Sequence, residues 1–260
     1  MKMQTLIRLG LLIFSFWLVS CDDGGTIMHK NITGNAGEVV VVITNDSWNG
    51  MPGKIIRQNL AQQHLALPQD EPLFDLVNVP PEGFKSIFKS TRNIIQTSIS
   101  PNIDTARVVF RDDVWAYPQA TVTIQARNPA EFEALFDESK DRVMAYFLRA
   151  ERERLTMNYN KYYEKAVYNV LNENFDLTMK VPPGFQIAEQ EEDFIWLRYE
   201  TPDIGQGIVL YTFPYVSDSA FTRNYLLRVR DSVLKANVPG PSEGSYMATE
   251  RRVDQVYNVR

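Results

Sequence analysis

The sequence contains a single cysteine, Cys21, among 260 residues, and this lack of a second thiol excludes an internal disulfide. It contains only two histidines, His29 and His64, and their separation fits no paired-histidine metal motif. No HExxH, GxSxG or Walker-type phosphate loop is present. We therefore expect no metal ion and no cofactor, and no motif identifies a catalytic residue.

The sequence also lacks an apolar run long enough to cross a membrane as a helix. Its longest run, residues 9–19, has 11 almost wholly apolar residues, well short of the roughly 20 that a spanning helix needs. Lys2 and Arg8 precede the run. A short basic segment followed by an apolar run of this length is typical of a secretory signal peptide.

The signal ends in Leu18-Val19-Ser20-Cys21, which resembles the lipobox of bacterial lipoproteins. This resemblance implies that residues 1–20 are removed and that Cys21 becomes lipidated, which would attach the chain to a membrane. Two or more acyl chains anchor a protein stably, at about 0.8 kcal/mol per buried methylene. The alternative is an ordinary signal peptide followed by an incidental cysteine.

The mature chain would be acidic. Removal of residues 1–20 takes away Lys2 and Arg8 but no acidic residue, so the formal net charge changes from −5 to −7. Nucleic-acid-binding proteins carry a basic face, and we therefore expect no nucleic acid among the partners. A hydrophobic content of 44% is sufficient for a packed core.

Local patterns divide the mature chain into three parts. Residues 21–37 contain four glycines and predict a lipidated cysteine followed by a flexible tether. The apolar residues 39–43 predict a strand that is buried on both faces. Asn128, Pro129 and Glu131 predict the N-cap and first turn of a long helix, with a break near Asn158 and Asn160 or one uninterrupted helix as the alternatives.

An apparent internal repeat suggests the fold. Residues 74–84 contain Phe-Asp-Leu followed by Val-Pro-Pro-Glu-Gly-Phe, and residues 175–185 contain Phe-Asp-Leu followed by Val-Pro-Pro-Gly-Phe. Strands and then a helix are predicted after each. We therefore predict an α+β fold of two similar units, 38–157 and 158–260, each a small antiparallel sheet covered by one or two helices. If the second unit mirrors the first, it is incomplete at its C-terminus. The alternative is that Pro-Pro-Gly turns are common between secondary-structure elements and indicate no duplication.

The lipobox, the tether, the Pro-Pro-Gly turns and the paired helices together resemble an uncharacterised lipoprotein family of the Bacteroidetes. The resemblance extends over the mature chain and rests on this overall pattern. It implies a lipid-anchored protein of the cell envelope at the outer membrane, on either its periplasmic or its surface face. It brings no assigned activity and no catalytic residues.

Aromatic and acidic residues supply the candidate binding site. Asp112, Asp113, Trp115 and Tyr117 fall in one predicted loop, and Trp48 falls in another. Acids beside aromatic rings are typical of sugar sites, although a turn around a half-buried tryptophan gives the same pattern. The acidic run at residues 189–193 predicts a solvated turn, and Gly205-Gln206-Gly207 predicts a hairpin turn.

The function expected from these features is a non-enzymatic binding or assembly module for an envelope protein or a glycan. A carboxylate-dependent glycan hydrolase that uses Asp112 or Asp113 is the main alternative, because glycosidases work with two carboxyl groups. An assembly or chaperone factor for outer-membrane proteins is a third hypothesis. A triad built on His64 is disfavoured, because its place in a predicted helix is that of a surface residue.

Overall fold

The computed structural model describes residues 30–64, 70–202 and 204–250. The predicted signal peptide, Cys21 and residues 22–29 of the predicted tether lie outside the described residues. In chain order, the strands are β1 Lys30–Asn31, β2 Glu38–Val42, β3 Asp75–Val79, β4 Asn93–Ile99, β5 Arg107–Asp112, β6 Ala116–Tyr117, β7 Ala120–Ala126, β8 Gln186–Gln190, β9 Phe194–Glu200 and β10 Gly205–Tyr211. The helices are α1 Asn45–Asn49, α2 Met51–Leu60, α3 Ser86–Lys89, α4 Pro129–Lys161, α5 Lys165–Phe175 and α6 Arg223–Asn237.

The first half of the chain forms a five-stranded sheet in the order β3-β2-β4-β7-β5. The predicted α+β class is confirmed, but the antiparallel sheet predicted for this unit was wrong. Strand β2 pairs in parallel with β3 and β4, β4 pairs in parallel with β7, and only β5 runs antiparallel to its neighbour. Strands of parallel sheets are buried on both faces and read as continuous apolar runs. Residues 39–43 form such a run and all are at most 4% exposed.

Helices α2 and α4 cover one face of this sheet. The core between them is built from alternate strand residues and from the apolar stripes of the two helices, and it includes Val39, Val41, Ile95, Val122, Ile124, Ile56, Leu60, Phe132, Phe136, Val143 and Phe147. The other face carries a smaller cluster of Val40, Val42, Val79 and Ile94 beneath Phe84, Phe88 and Trp115. The period-two alternation of strand side chains supplies both clusters from the same strands.

Helix α4 begins as predicted. The Asn128 side chain accepts a hydrogen bond from the Glu131 amide at 2.9 Å, and Glu131 Oε2 accepts one from the Arg127 amide at 2.7 Å. The helix continues for 33 residues, or about 50 Å, to Lys161. The break predicted near Asn158 and Asn160 therefore lies just beyond them, at residues 162–164. The predicted boundary at 157/158 falls inside α4.

Within the predicted tether, residues 21–37, the described part from Lys30 onward contacts the sheet domain and is not a free linker. Strand β1 pairs in parallel with β6, so that Lys30 lies opposite Ala116 and Asn31 opposite Tyr117. The Ile32 amide then donates to the Tyr117 carbonyl oxygen at 3.2 Å. Backbone pairing of this kind needs no apolar periodicity, which explains why the sequence pattern gave no sign of it.

The second half of the chain forms a three-stranded antiparallel sheet in the order β10-β9-β8, in agreement with the prediction. Helix α5 packs on one face, where Val167 and Leu171 meet Ile195 and Leu197. Helix α6 packs on the other face, where Leu234 meets Phe194. Among the described residues, no helix combines the length and the apolarity that crossing a bilayer requires.

Two local predictions for the second half need correction. Gly205-Gln206-Gly207 lies inside β10 and not in the hairpin turn, because the Thr201 amide bonds the Ile204 carbonyl oxygen at 2.8 Å and closes the turn before Gly205. The predicted likeness of the two units does not extend to topology. Residues Pro81–Gly83 form a 3₁₀ turn that leads into α3, whereas Gly184 has a φ of +93° and leads directly into β8. The shared motif is thus a local turn that serves two different sheets.

Candidate functional site

A groove of about 590 Å³ lies between residues 112–119 and the second half of α4. It opens at the end of the five-stranded sheet where β4 and β7 begin and β5 finishes. We call it the α4 groove. The residues that matter for its chemistry are Asp112, Asp113, Tyr117, Arg149, Arg152 and Met157. Its volume is within the roughly 300–1,000 Å³ that ligand pockets occupy.

Asp112 is engaged by a tyrosine from α4. The Tyr146 hydroxyl lies 2.7 Å from Asp112 Oδ1 and 2.8 Å from the Arg111 carbonyl oxygen, so that it donates to acceptors on β5. Burial raises the pKa of Tyr146 well above its ordinary value, and the hydrogen bond to Asp112 adds to the rise. Tyr146 therefore keeps its proton and holds the Asp112 carboxylate as an acceptor.

Asp113 is engaged by the backbone of the same turn. Its φ of +55° places it in the left-handed region, which aspartate tolerates better than most residues. Asp113 Oδ1 accepts a hydrogen bond from the Gln119 amide at 2.8 Å, and the Asp113 amide donates to the Gln119 carbonyl oxygen at 3.0 Å. The carboxylate thus closes the turn that connects β5 to β7.

The Gln119 side chain fixes this turn to the neighbouring segment. It is 3% exposed, and its Oε1 accepts from the Trp115 amide at 3.0 Å. Its Nε2 donates to the carbonyl oxygens of Lys89 and Thr91, both at 2.7 Å. Because the buried amide uses both donors and its acceptor, the groove wall has little freedom to rearrange.

A charged network holds α4 against the start of the sheet. Glu151 lies between two guanidinium groups, with Oε2 at 2.7 Å from Arg92 Nη2 and Oε1 at 2.9 Å from Arg154 Nη1. Arg154 is 8% exposed and also donates to Asn93 Oδ1 at 3.0 Å and to the Pro118 carbonyl oxygen at 3.0 Å. Burial lowers the pKa of Arg154, and the charge of Glu151 opposes that shift. These contacts fix the distance between α4 and residues 112–119, which are the two walls of the groove.

The rim of the α4 groove remains available to a ligand. The Tyr117 residue is 52% exposed and Met157 is 43% exposed. Arg149 Nε lies 3.7 Å from Glu153 Oε1, a distance typical of a weak surface pair, and Arg152 is exposed with no ion pair among the described residues. An aromatic ring, a thioether and guanidinium groups therefore border one concave surface.

The structure separates the five predicted ligand-binding residues into three places. Asp112, Asp113 and Tyr117 share the α4 groove. Trp48 lies in α1, packs against the main core and has the Arg57 guanidinium carbon 4.4 Å from its ring centroid. Trp115 lies on the opposite sheet face, where its ring meets Phe84 edge-on at 5.6 Å.

No residue on the α4 side of the groove is among the binding residues predicted from the sequence. One signal was present. The buried stripe of α4 continues at helical spacing through Phe147, Ala150 and Arg154. An arginine therefore occupies a position where this pattern predicts an apolar residue. A charged residue on a buried stripe is seldom tolerated without partners.

Other acidic and histidine candidates do not assemble into a site. Glu189, Glu191, Glu192 and Asp193 are exposed around the end of β8. The His64 amide donates to the Glu71 carbonyl oxygen at 2.7 Å, while His29 lies outside the described residues. Within the described part of the chain, no group of three or more His, Cys, Asp or Glu side chains is arranged to hold a metal ion.

Comparison with known families divides the chain near the end of α4. Residues 32–160 match a model described as a domain of unknown function (DUF8532), and residues 164–260 match a second, also described as a domain of unknown function (DUF4837). The chain is similar to two uncharacterised domain families. Nothing matches among curated proteins, and nothing matches among solved structures. The interval between the two matches coincides with the junction of α4 and α5.

Proposed function

We propose that this chain is a lipid-anchored protein of the outer membrane that binds an envelope partner in the α4 groove and does not catalyse a reaction. The observation that carries the proposal is that both carboxylates in the groove already accept hydrogen bonds from the protein. Asp112 accepts one from the Tyr146 hydroxyl, and Asp113 accepts one from the Gln119 amide. A glycosidase needs one carboxyl group free to protonate a leaving group and a second to attack or to activate water. Both groups here instead shape the wall.

The rim favours a protein over a glycan as the partner. Tyrosine, arginine and methionine are enriched at protein–protein interfaces, and Tyr117, Arg152 and Met157 border the groove. A prearranged groove binds with a smaller loss of conformational entropy than a mobile one.

The proposed anchor supports a partner close to the membrane. Lys30, where β1 begins to pair with β6, lies nine positions after Cys21 in the chain. Even a fully extended chain of that length reaches only about 30 Å. Because β6 contains Tyr117, a lipid on Cys21 would keep the groove within that reach of the bilayer surface.

Site-specific photocrosslinking in cells tests this proposal. A photoreactive phenylalanine analogue at position 117 is expected to give a discrete protein adduct, whereas the same analogue at the exposed Tyr215 is the matched control and gives none. Arg152→Glu should weaken the adduct at position 117, and Cys21→Ala should remove it if the anchor brings the groove to its partner. Hydrolysis of an envelope glycan that disappears in the Asp112→Asn/Asp113→Asn variant would instead establish the hydrolase.

A further inference from the structure

A second groove, of about 640 Å³, lies in the second half of the chain between β9, β10 and residues 238–247. Helix α6 covers the part of this sheet face that carries Phe194 and Val209, through Leu234 and Val238. Among the described residues, no helix lies over the part of the same face nearer the Thr201 turn, which forms the floor of the groove. We call it the glycine groove, because Gly205 and Gly207 line that floor.

The two glycines leave room where strand side chains would otherwise stand. Residues alternate between faces along β10, so positions 205 and 207 lie on the same face as Val209 and Tyr211. A Cβ added at Gly205 would meet no atom within 4 Å, whereas one at Gly207 would lie 3.1 Å from Trp196 Nε1. Glycine in a strand interior often marks a place where a ligand approaches the backbone.

The indole of Trp196 presents an unused donor at this floor. Trp196 lines the groove, and its Nε1 is buried without a hydrogen-bond partner among the described residues. Buried polar groups almost always have a partner, and each exception needs an explanation such as an absent ligand. The indole N–H can only donate. A ligand that satisfies Trp196 must therefore offer an acceptor oxygen to this N–H group.

The residues in the groove walls indicate which other chemical groups the ligand carries. Arg198 and Glu200 form an ion pair on the same face, so that the charged residues lining the groove carry no net charge. Tyr246, 43% exposed, and Met247, 41% exposed, border the opposite side. A paired guanidinium and carboxylate offer donors and acceptors side by side, which suits neighbouring hydroxyl groups, and an aromatic ring suits the apolar face of a sugar.

We propose that the glycine groove binds a neutral saccharide, with one sugar oxygen accepting the hydrogen bond from Trp196 Nε1. The site lies in the second half of the chain, so that the inference is independent of the partner proposed for the α4 groove. An anionic ligand is disfavoured, because Glu200 already neutralises Arg198 and its carboxylate would repel a second negative charge. The groove's volume is within the range of small-molecule sites.

Nuclear magnetic resonance of the indole N–H groups in the ¹⁵N-labelled full chain, held in detergent micelles, tests the proposal. The Trp196 signal is assigned by its loss in Trp196→Phe. Triacetylchitotriose, maltotriose and mannotriose serve as neutral probes, and trigalacturonic acid serves as the anionic probe. At least one neutral probe is expected to shift the Trp196 signal saturably, with a Kd in the millimolar range or tighter, while the Trp48 signal stays in place.

Two variants make the result specific to this groove. Trp196→Phe keeps an aromatic side chain and removes the donor, and it should weaken binding, measured by calorimetry, about tenfold or more. Gly205→Leu places a side chain in the open floor, where an added Cβ meets no atom within 4 Å, and it should abolish binding while the chain stays folded. A Trp196 signal that no neutral probe shifts, a stronger response to the anionic probe, or saccharide binding that survives Gly205→Leu would each overturn the proposal.

Discussion

Glu151 is the residue on which the geometry of the α4 groove depends most. Its side chain is 12% exposed and neutralises Arg92 and Arg154, which come from different elements. Replacement by glutamine keeps the shape but leaves the buried Arg154 and the partly buried Arg92 without a counter-charge. Breaking a buried pair in this way costs about 3–5 kcal/mol. We expect Glu151→Gln to lower the free energy of unfolding by that order, as measured by urea denaturation.

Glu153, two residues along the same helix, provides the matched control. Its side chain is 64% exposed, and it pairs with Arg149 across 3.7 Å. Exposed pairs contribute little, so Glu153→Gln should remain within about 0.5 kcal/mol of the original chain. Equal losses in the two variants would mean that the network around Glu151 does not hold α4 on the sheet.

The raised pKa of Tyr146 predicts that the stability of the folded chain depends on pH. Burial raises its pKa in the folded chain, while in the unfolded chain it ionises near pH 10. As the pH rises above about 10, the unfolded chain loses this proton first, so that the folded state loses stability. The contribution of one such group is at most about 1.4 kcal/mol per pH unit.

Comparison of urea denaturation at about pH 9 and about pH 11 isolates this contribution. Tyr146→Phe lacks the ionisable hydroxyl, and its unfolding free energy should fall less steeply with pH than that of the original chain. The pKa values of Tyr211 and Tyr215 are also raised, but both tyrosines are present in each protein and their effects cancel. An unchanged slope in Tyr146→Phe would refute the assignment.

At the scale of single elements, the start of α4 shows what local sequence can predict. Asn128 and Glu131 interact across three residues, and such contacts depend only on the local chain. Asn128→Ala should lower the free energy of unfolding by about 1 kcal/mol, because the Glu131 amide loses its acceptor. Asn128→Ser, which retains a capping oxygen, should recover most of that loss. Thermal unfolding monitored by circular dichroism measures both, and equal effects would argue against the cap.

Neither the direction of the strands nor the position of the grooves could be predicted from local sequence. The apolar residues 39–43 identified a strand buried on both faces, but which strands would be its neighbours depends on contacts distant in sequence. The α4 groove joins β5 to a helix that begins 17 residues after Asp112, and only the fold brings Asp112 to Tyr146. The sequence predicted a turn at Gly205 and Gly207 because glycine is a common turn residue. Their position in the floor of a groove depends on the tertiary structure and could not be predicted from local sequence.

At the scale of the whole molecule, the buried apolar residues separate at the end of α4. Each of the four hydrophobic clusters among the described residues lies entirely before Lys161 or entirely after it. The matches to two different family models divide the chain at the same place. A chain with separate cores need not unfold in one cooperative step. Disturbance of one core is then expected to leave the other core intact.

Two matched substitutions test this independence. Leu60 in the first core and Leu171 in the second are both 0% exposed, and a buried Leu→Ala replacement costs about 2–5 kcal/mol. We expect Leu60→Ala to accelerate hydrogen exchange in β2 and β4 but not in β9, and Leu171→Ala to do the reverse. Exchange measured by mass spectrometry reports each strand separately. If either substitution accelerated exchange in all three strands alike, the two halves would form one cooperative unit, and ligand binding in one groove would then stabilise the other.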